Sequence, residues 1–84
     1  MTQVVIYTSN TCPYCVTAKQ LLTRKNQPFT EINIEQNSAL ADEMIQKSNR
    51  RTVPQIFIND QHIGGCDDLL ALDRSGQLDK LLNQ

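Results

Sequence analysis

"VVIYTSNTCPYCVTAKQLLTRKN", residues 4–26, holds the pattern that decides the fold. Its start, "VVIY" (4–7), is a short apolar and β-branched run that is typical of a strand buried on both faces. After the loop "TSNTCP", residues 13–26 predict a helix. Pro13 suits the first helical position, where its missing N–H is not needed. The stretch therefore predicts a strand that leads into a helix, with two cysteines at the junction.

The rest of the sequence continues the alternation of strands and helices. Alternating apolar residues predict a half-buried strand over 29–34, and a capped, amphipathic pattern predicts a helix over 37–49. Residues 55–63 predict a hairpin around an Asn-Asp turn, and residues 66–82 a last helix interrupted near Gly76. The order β-α-β-α-β-β-α predicts an α/β fold, in which a four-stranded mixed sheet carries helices on both faces.

Length, composition and charge limit the class of protein. The chain has 84 residues and 39% hydrophobic content, so residues 1–84 are expected to form one domain. Lys and Arg number 8 and Asp and Glu 9, with no basic stripe, which gives nucleic-acid binding no support. The first residues lack a signal-peptide pattern, and no apolar run approaches the ~20 residues of a membrane span. We expect a monomeric cytoplasmic protein with no membrane partner.

The chain has three cysteines, an odd number, and no export signal, and both features argue against a disulfide scaffold. Cys12 and Cys15 stand three positions apart in a helical turn, which brings their Cα atoms to roughly 5–6 Å, within reach of a disulfide. Cys15 falls on the core-facing side of the helix. Cys12 stands at the helix tip, where free N–H groups and the helix dipole lower a cysteine pKa from about 8.5 to about 3.5–7.5. An exposed nucleophile beside a buried thiol is what thiol–disulfide exchange requires.

A zinc site is the alternative use of these sulfurs. Cys12, Cys15, His62 and Cys66 would make a Cys₃His ligand set, and their spacing permits it. Against zinc, a long amphipathic helix follows the second cysteine directly, and a chain with this apolar patterning does not need a metal to fold. The context of the Cys-x-x-Cys pair favours the redox interpretation.

Two further motifs extend the first. "CPYC" (12–15) is followed by "TVPQIFI" (52–58) and "GGCDDL" (64–69). With these motifs in this order and spacing, the chain resembles glutaredoxins of the dithiol type. The resemblance implies a thioredoxin-like fold and a glutathione-dependent thiol–disulfide oxidoreductase that needs no metal. Its co-substrate would be glutathione, and its substrates disulfide-containing or glutathionylated proteins. Cys12 would be the catalytic nucleophile and Cys15 the resolving cysteine.

The resemblance also implies a glutathione site. Pro54 would follow a cis peptide bond, and the backbone of Val53, flanked by Thr52, would pair with the cysteinyl unit of glutathione like an added strand. The N-terminus of the last helix would bind a carboxylate, and Asp67 an ammonium group. Ordinary N-capping by an aspartate is the structural alternative there. The residues assigned to glutathione are Tyr14, Thr52, Val53, Pro54, Gly65, Cys66, Asp67 and Arg51.

The sequence departs from the family at one contact. Many members have a lysine where this chain has Ser9, so the glycyl carboxylate of glutathione needs another cation. Arg50 and Arg51 are the candidates, of which Arg51 is placed in the site. Two other hypotheses stay open. The first is a glutaredoxin-like protein reduced by thioredoxin reductase, and the second is an iron–sulfur cluster shared by two chains and ligated by Cys12 and glutathione. Pro13 disfavours the cluster because it stiffens the loop.

Overall fold

A computed structural model describes residues 2–83 and contains the predicted order of elements. The last predicted helix is divided at Gly76, whose φ of 82° lies in the left-handed region, as expected from its position in the sequence. Within residues 2–83, no helix has the length and apolar character that crossing a membrane requires. The elements are β1 (Val4–Thr8), α1 (Pro13–Arg24), β2 (Thr30–Asn33), α2 (Ser38–Ser48), β3 (Gln55–Ile58), β4 (Gln61–Gly64), α3 (Cys66–Ser75) and α4 (Gln77–Leu82).

The strands form one mixed sheet in the order β2-β1-β3-β4. β1 runs parallel to β2 and antiparallel to β3, and β3 and β4 form the predicted antiparallel hairpin. The hairpin turns on Asn59 and Asp60, whose φ angles of 50° and 66° are both positive. Asn and Asp tolerate this geometry better than most residues, which explains their place in a two-residue turn. The predicted mixed sheet is confirmed.

Alternation along the strands divides the core between the two faces of the sheet. Even-numbered residues such as Ile6 and Ile56 pack with buried residues of α1, α3 and α4. Tyr7 and Phe57, on the opposite face, pack with Met44 of α2. The sheet therefore has helices on both faces. The start of α1, the loop before β3 and the start of α3 contribute the residues that line the candidate site.

Candidate active site

The cysteine pair lies at the junction of β1 and α1. Cys12 is the N-cap of α1, with extended backbone, and Pro13 occupies the first turn. A disulfide joins Cys12 to Cys15 with a Cα–Cα distance of 5.2 Å, as the spacing predicted. The N–H of Cys15 donates to Cys12 Sγ at 3.0 Å. Cys15 is 1% exposed, whereas Cys12 is partly exposed, so the predicted asymmetry between the two sulfurs is present.

The loop before β3 presents free backbone groups. The Val53–Pro54 peptide bond is cis, as the family resemblance implied. Pro54 is buried, while Thr52 is exposed and Val53 half-buried. In the part of the chain that the structure describes, no loop or turn hydrogen bond uses the N–H or C=O of Val53. Both groups are therefore available to pair with an extended ligand backbone.

A groove connects this loop to Tyr14, which lies between the cysteines, and to the N-terminus of α3. Tyr14 is 65% exposed, so its ring stands as a wall rather than as part of the core. The groove brings together every residue that sequence reasoning assigned to glutathione except Arg51. Its lining residues are Tyr14, Arg50, Thr52, Val53, Pro54, Gly65, Cys66, Asp67 and Asp68.

Arg51 is the predicted site residue that lies outside the groove. It is exposed and does not line the groove, whereas Arg50 does. Arg50 Nη1 lies 3.1 Å from Asp68 Oδ2, an ion pair that holds Arg50 against α3. Among residues 2–83, Arg50 is the cationic residue that lines the groove.

The two aspartates at the start of α3 have different surroundings. Asp68 Oδ2 accepts a hydrogen bond of 2.9 Å from the N–H of Gly65, the N-cap residue, so Asp68 is the third helical residue of a capping box and not the N-cap itself. That bond, and then Arg50, lower the pKa of Asp68. Asp67 is exposed and makes no side-chain hydrogen bond or ion pair within residues 2–83, which leaves its carboxylate open to the groove.

The third cysteine and the histidine do not join the cysteine pair in a metal site. Cys66 is 4% exposed, and burial, followed by the charge of Asp67, raises the pKa of its thiol. His62 lies 2.8 Å from Gln55, on β3. Among residues 2–83, no cluster of three or more His, Cys, Asp or Glu side chains could hold a metal ion. The zinc ligand set considered from the sequence is therefore not assembled.

A redox-active cysteine pair at the start of a helix, beside a cis-proline loop on a four-stranded mixed sheet, defines a thiol–disulfide oxidoreductase with a thioredoxin-like fold. The glutaredoxin family profile matches residues 4–63. The chain is 60% identical over 82 residues to Glutaredoxin 3 of Escherichia coli K12, covering 98% of this chain and 99% of that protein. A glutaredoxin of Pseudomonas aeruginosa is 53% identical over 83 residues, with 99% of both chains covered. The chain belongs to the glutaredoxin family.

Solved structures agree with this assignment. The structure of a buckwheat glutaredoxin–glutathione complex matches with a TM-score of 0.88 at 31% identity, covering 95% of this chain and 76% of that one. The solution structure of a Brucella melitensis glutaredoxin matches with a TM-score of 0.84 at 52% identity, covering 95% and 87%. The thioredoxin-like fold predicted from the sequence is therefore confirmed.

Proposed function

We propose that this protein is a monomeric, cytoplasmic oxidoreductase that uses glutathione to reduce protein disulfides and glutathione mixed disulfides. The observation that carries the proposal is the groove beside the Cys12–Cys15 pair, which offers the unpaired backbone of Val53. The buckwheat relative, whose fold this chain shares, is a complex with glutathione.

The groove has a chemical partner for each part of glutathione. The backbone of Val53 pairs with the cysteinyl unit and directs its sulfur towards Cys12. The carboxylate of Asp67 attracts the γ-glutamyl ammonium group, and the free N–H groups at the start of α3 attract the γ-glutamyl carboxylate. Arg50 replaces the cation that is missing at Ser9 and attracts the glycyl carboxylate. Tyr14 covers the peptide on its exposed side.

Reduction of a glutathione mixed disulfide uses Cys12 alone. The Cys12 thiolate attacks the glutathionyl sulfur, a new sulfur–sulfur bond forms, and the substrate thiolate leaves and takes up a proton. A second glutathione thiolate then attacks the glutathionyl sulfur on Cys12. Oxidised glutathione leaves, and the Cys12 thiolate is restored.

Reduction of a protein disulfide uses both cysteines. Cys12 attacks one substrate sulfur and releases the other as a thiolate. Cys15 then attacks the Cys12 sulfur, which releases the reduced substrate and forms the Cys12–Cys15 disulfide seen in the structure. Two molecules of glutathione reduce this disulfide, and one molecule of oxidised glutathione is formed.

The test is to mix the Cys15→Ser variant with oxidised glutathione and to measure its intact mass and map the modified peptide. We expect one glutathionyl group on Cys12, removed by added glutathione. In turnover assays, Cys15→Ser should keep deglutathionylation and lose protein-disulfide reduction, while Cys12→Ser should lose both. An unmodified Cys12, or a Cys12→Ser variant that stays active, would refute the proposal. Turnover with NADPH and thioredoxin reductase but not with glutathione would favour the alternative electron donor.

A further inference from the structure

Gln55 is a polar side chain in the core, one residue after Pro54. It is 0% exposed, although it begins a strand whose other side chains are apolar. A buried amide is costly unless it is hydrogen-bonded. The Gln55 amide bonds to two residues: its Nε2 lies 3.0 Å from Thr52 O and 3.3 Å from Thr52 Oγ1, and its Oε1 lies 2.8 Å from His62 Nε2.

The chemistry of these groups fixes the direction of each bond. The Thr52 carbonyl can only accept, so the Gln55 nitrogen must face it and the Gln55 oxygen must face His62. That oxygen also only accepts, so His62 Nε2 must carry a hydrogen. Burial, and then the charge of Arg50, lower the pKa of His62, which favours the neutral ring, and the Gln55 oxygen places the hydrogen of that ring on Nε2. His62 therefore donates a hydrogen bond to Gln55, and Gln55 donates one to Thr52.

The sheet explains why these residues meet. Gln55 and Phe57 share one face of β3, and His62 of β4 pairs with Phe57 across the ladder. His62 is therefore the diagonal neighbour of Gln55 on the same face. The ring of Phe57 lies 5.1 Å from the imidazole, centroid to centroid, and packs against it. His62 does not line the groove, but Gln55 connects it to Thr52 of the loop that does.

We propose that His62 is a positioning residue for the groove, acting through Gln55 to hold the Thr52 carbonyl and with it the Thr52–Val53 peptide. This inference rests on the proposed function, because its effect is on glutathione recognition. If the Thr52 carbonyl rotated, the N–H of Val53 in the same peptide unit would rotate with it, since the unit is planar. The loss of His62 should therefore weaken recognition of the glutathionyl group and leave the cysteine chemistry unchanged.

The experiment measures turnover of a glutathionylated peptide with glutathione as reductant. His62→Leu removes the donor, whereas His62→Gln places an amide N–H where the imidazole Nε2 lies. For His62→Leu we expect the KM for the peptide to rise about tenfold, the effect of one well-placed hydrogen bond, with kcat within about twofold. His62→Gln should restore the KM to within about twofold of the wild type. The alkylation rate of Cys12 by iodoacetamide should be equal in all three proteins.

A further single variant and a double variant test the same inference. His62→Asn has the amide of His62→Gln on a side chain one carbon shorter, so it should raise the KM even if His62→Leu folds poorly. On a Gln55→Met background, His62→Leu should change the KM no further, because the residues act as one chain. An unchanged KM in His62→Asn, or an equal rise in His62→Gln, would overturn this inference alone. A wild type that does not use glutathione would overturn the proposed function and this inference with it.

Discussion

Replacing Asp68 by alanine should destabilise the protein more than removing its ionic partner. Asp68 Oδ2 accepts from the N–H of Gly65 at 2.9 Å and from Arg50 Nη1 at 3.1 Å. Loss of this capping-box hydrogen bond costs about 0.5–1.5 kcal/mol, the net contribution of a typical hydrogen bond. The ion pair contributes only about 0–1 kcal/mol, because the Arg50 and Asp68 side chains are 49% and 47% exposed. Asp68→Ala should therefore cost about 0.5–2.5 kcal/mol, and Arg50→Ala under about 1 kcal/mol.

The measurement is thermal unfolding of the reduced proteins followed by circular dichroism. At about 4–8 °C per kcal/mol for a domain of this size, Asp68→Ala should lower the Tm by about 2–20 °C. Asp68→Asn, which keeps an acceptor oxygen, should lose less. The reasoning is refuted if Arg50→Ala lowers the Tm as much as Asp68→Ala does.

The same substitution has a defined pH dependence. The folded-state pKa of Asp68 is lowered, first by the Gly65 hydrogen bond and then by Arg50. Its charge therefore stabilises the fold above the unfolded-state pKa of about 3.9, and this stabilisation is lost as the pH falls through the lower folded-state value. The Tm difference between the wild type and Asp68→Asn should shrink below about pH 4. A difference that stays constant down to pH ~2 would show that charge is not the cause.

Two other predictions concern the buried side chains of Cys66 and Tyr7. Cys66 is buried and its thiol pKa is raised. In the reduced protein at pH ~7, Cys66 should therefore react with iodoacetamide at least about tenfold more slowly than Cys12. Peptide mapping over time measures both rates, and equal rates would contradict this prediction. Tyr7→Phe should lower the free energy of unfolding in urea by about 0.5–1.5 kcal/mol, because it removes the 2.6 Å bond from the Tyr7 hydroxyl to Glu43. Glu43→Gln, which keeps an acceptor, is the control, and an unchanged urea midpoint in Tyr7→Phe would rule out a contribution from the bond.

Local patterns were sufficient for the elements but not for their arrangement. The strand at 4–7, the helix starting at Pro13 and the break at Gly76 all follow from residues near one another in sequence, and the structure contains each of them. The predicted helix over 13–26 ends at Arg24 because Asn26 adopts a φ of 57°. The strand order β2-β1-β3-β4 depends on pairing between distant segments, which periodicity does not encode.

Some residues of the site could be predicted from the local sequence, and others could not. The cysteine pair could be placed because both residues lie in one turn, whereas the cis bond before Pro54 came from the family resemblance. The choice between Arg50 and Arg51 depends on the position of Asp68, which no local signal gives. A signal for the His62–Gln55 contact does exist, since counting outward from a two-residue turn pairs His62 with Phe57.

The groove is built from segments that are each fixed by a polar contact to the backbone. The N–H of Cys15 bonds to the Cys12 sulfur, Gln55 bonds to the Thr52 carbonyl, and Asp68 bonds to the N–H of Gly65. The apolar clusters lie on the two faces of the sheet and contribute the stability of the whole domain. Since a hydrogen bond is directional and apolar packing is not, these polar contacts determine how the groove presents its backbone. Differences in glutathione recognition among proteins of this fold should therefore be sought at such contacts before the core.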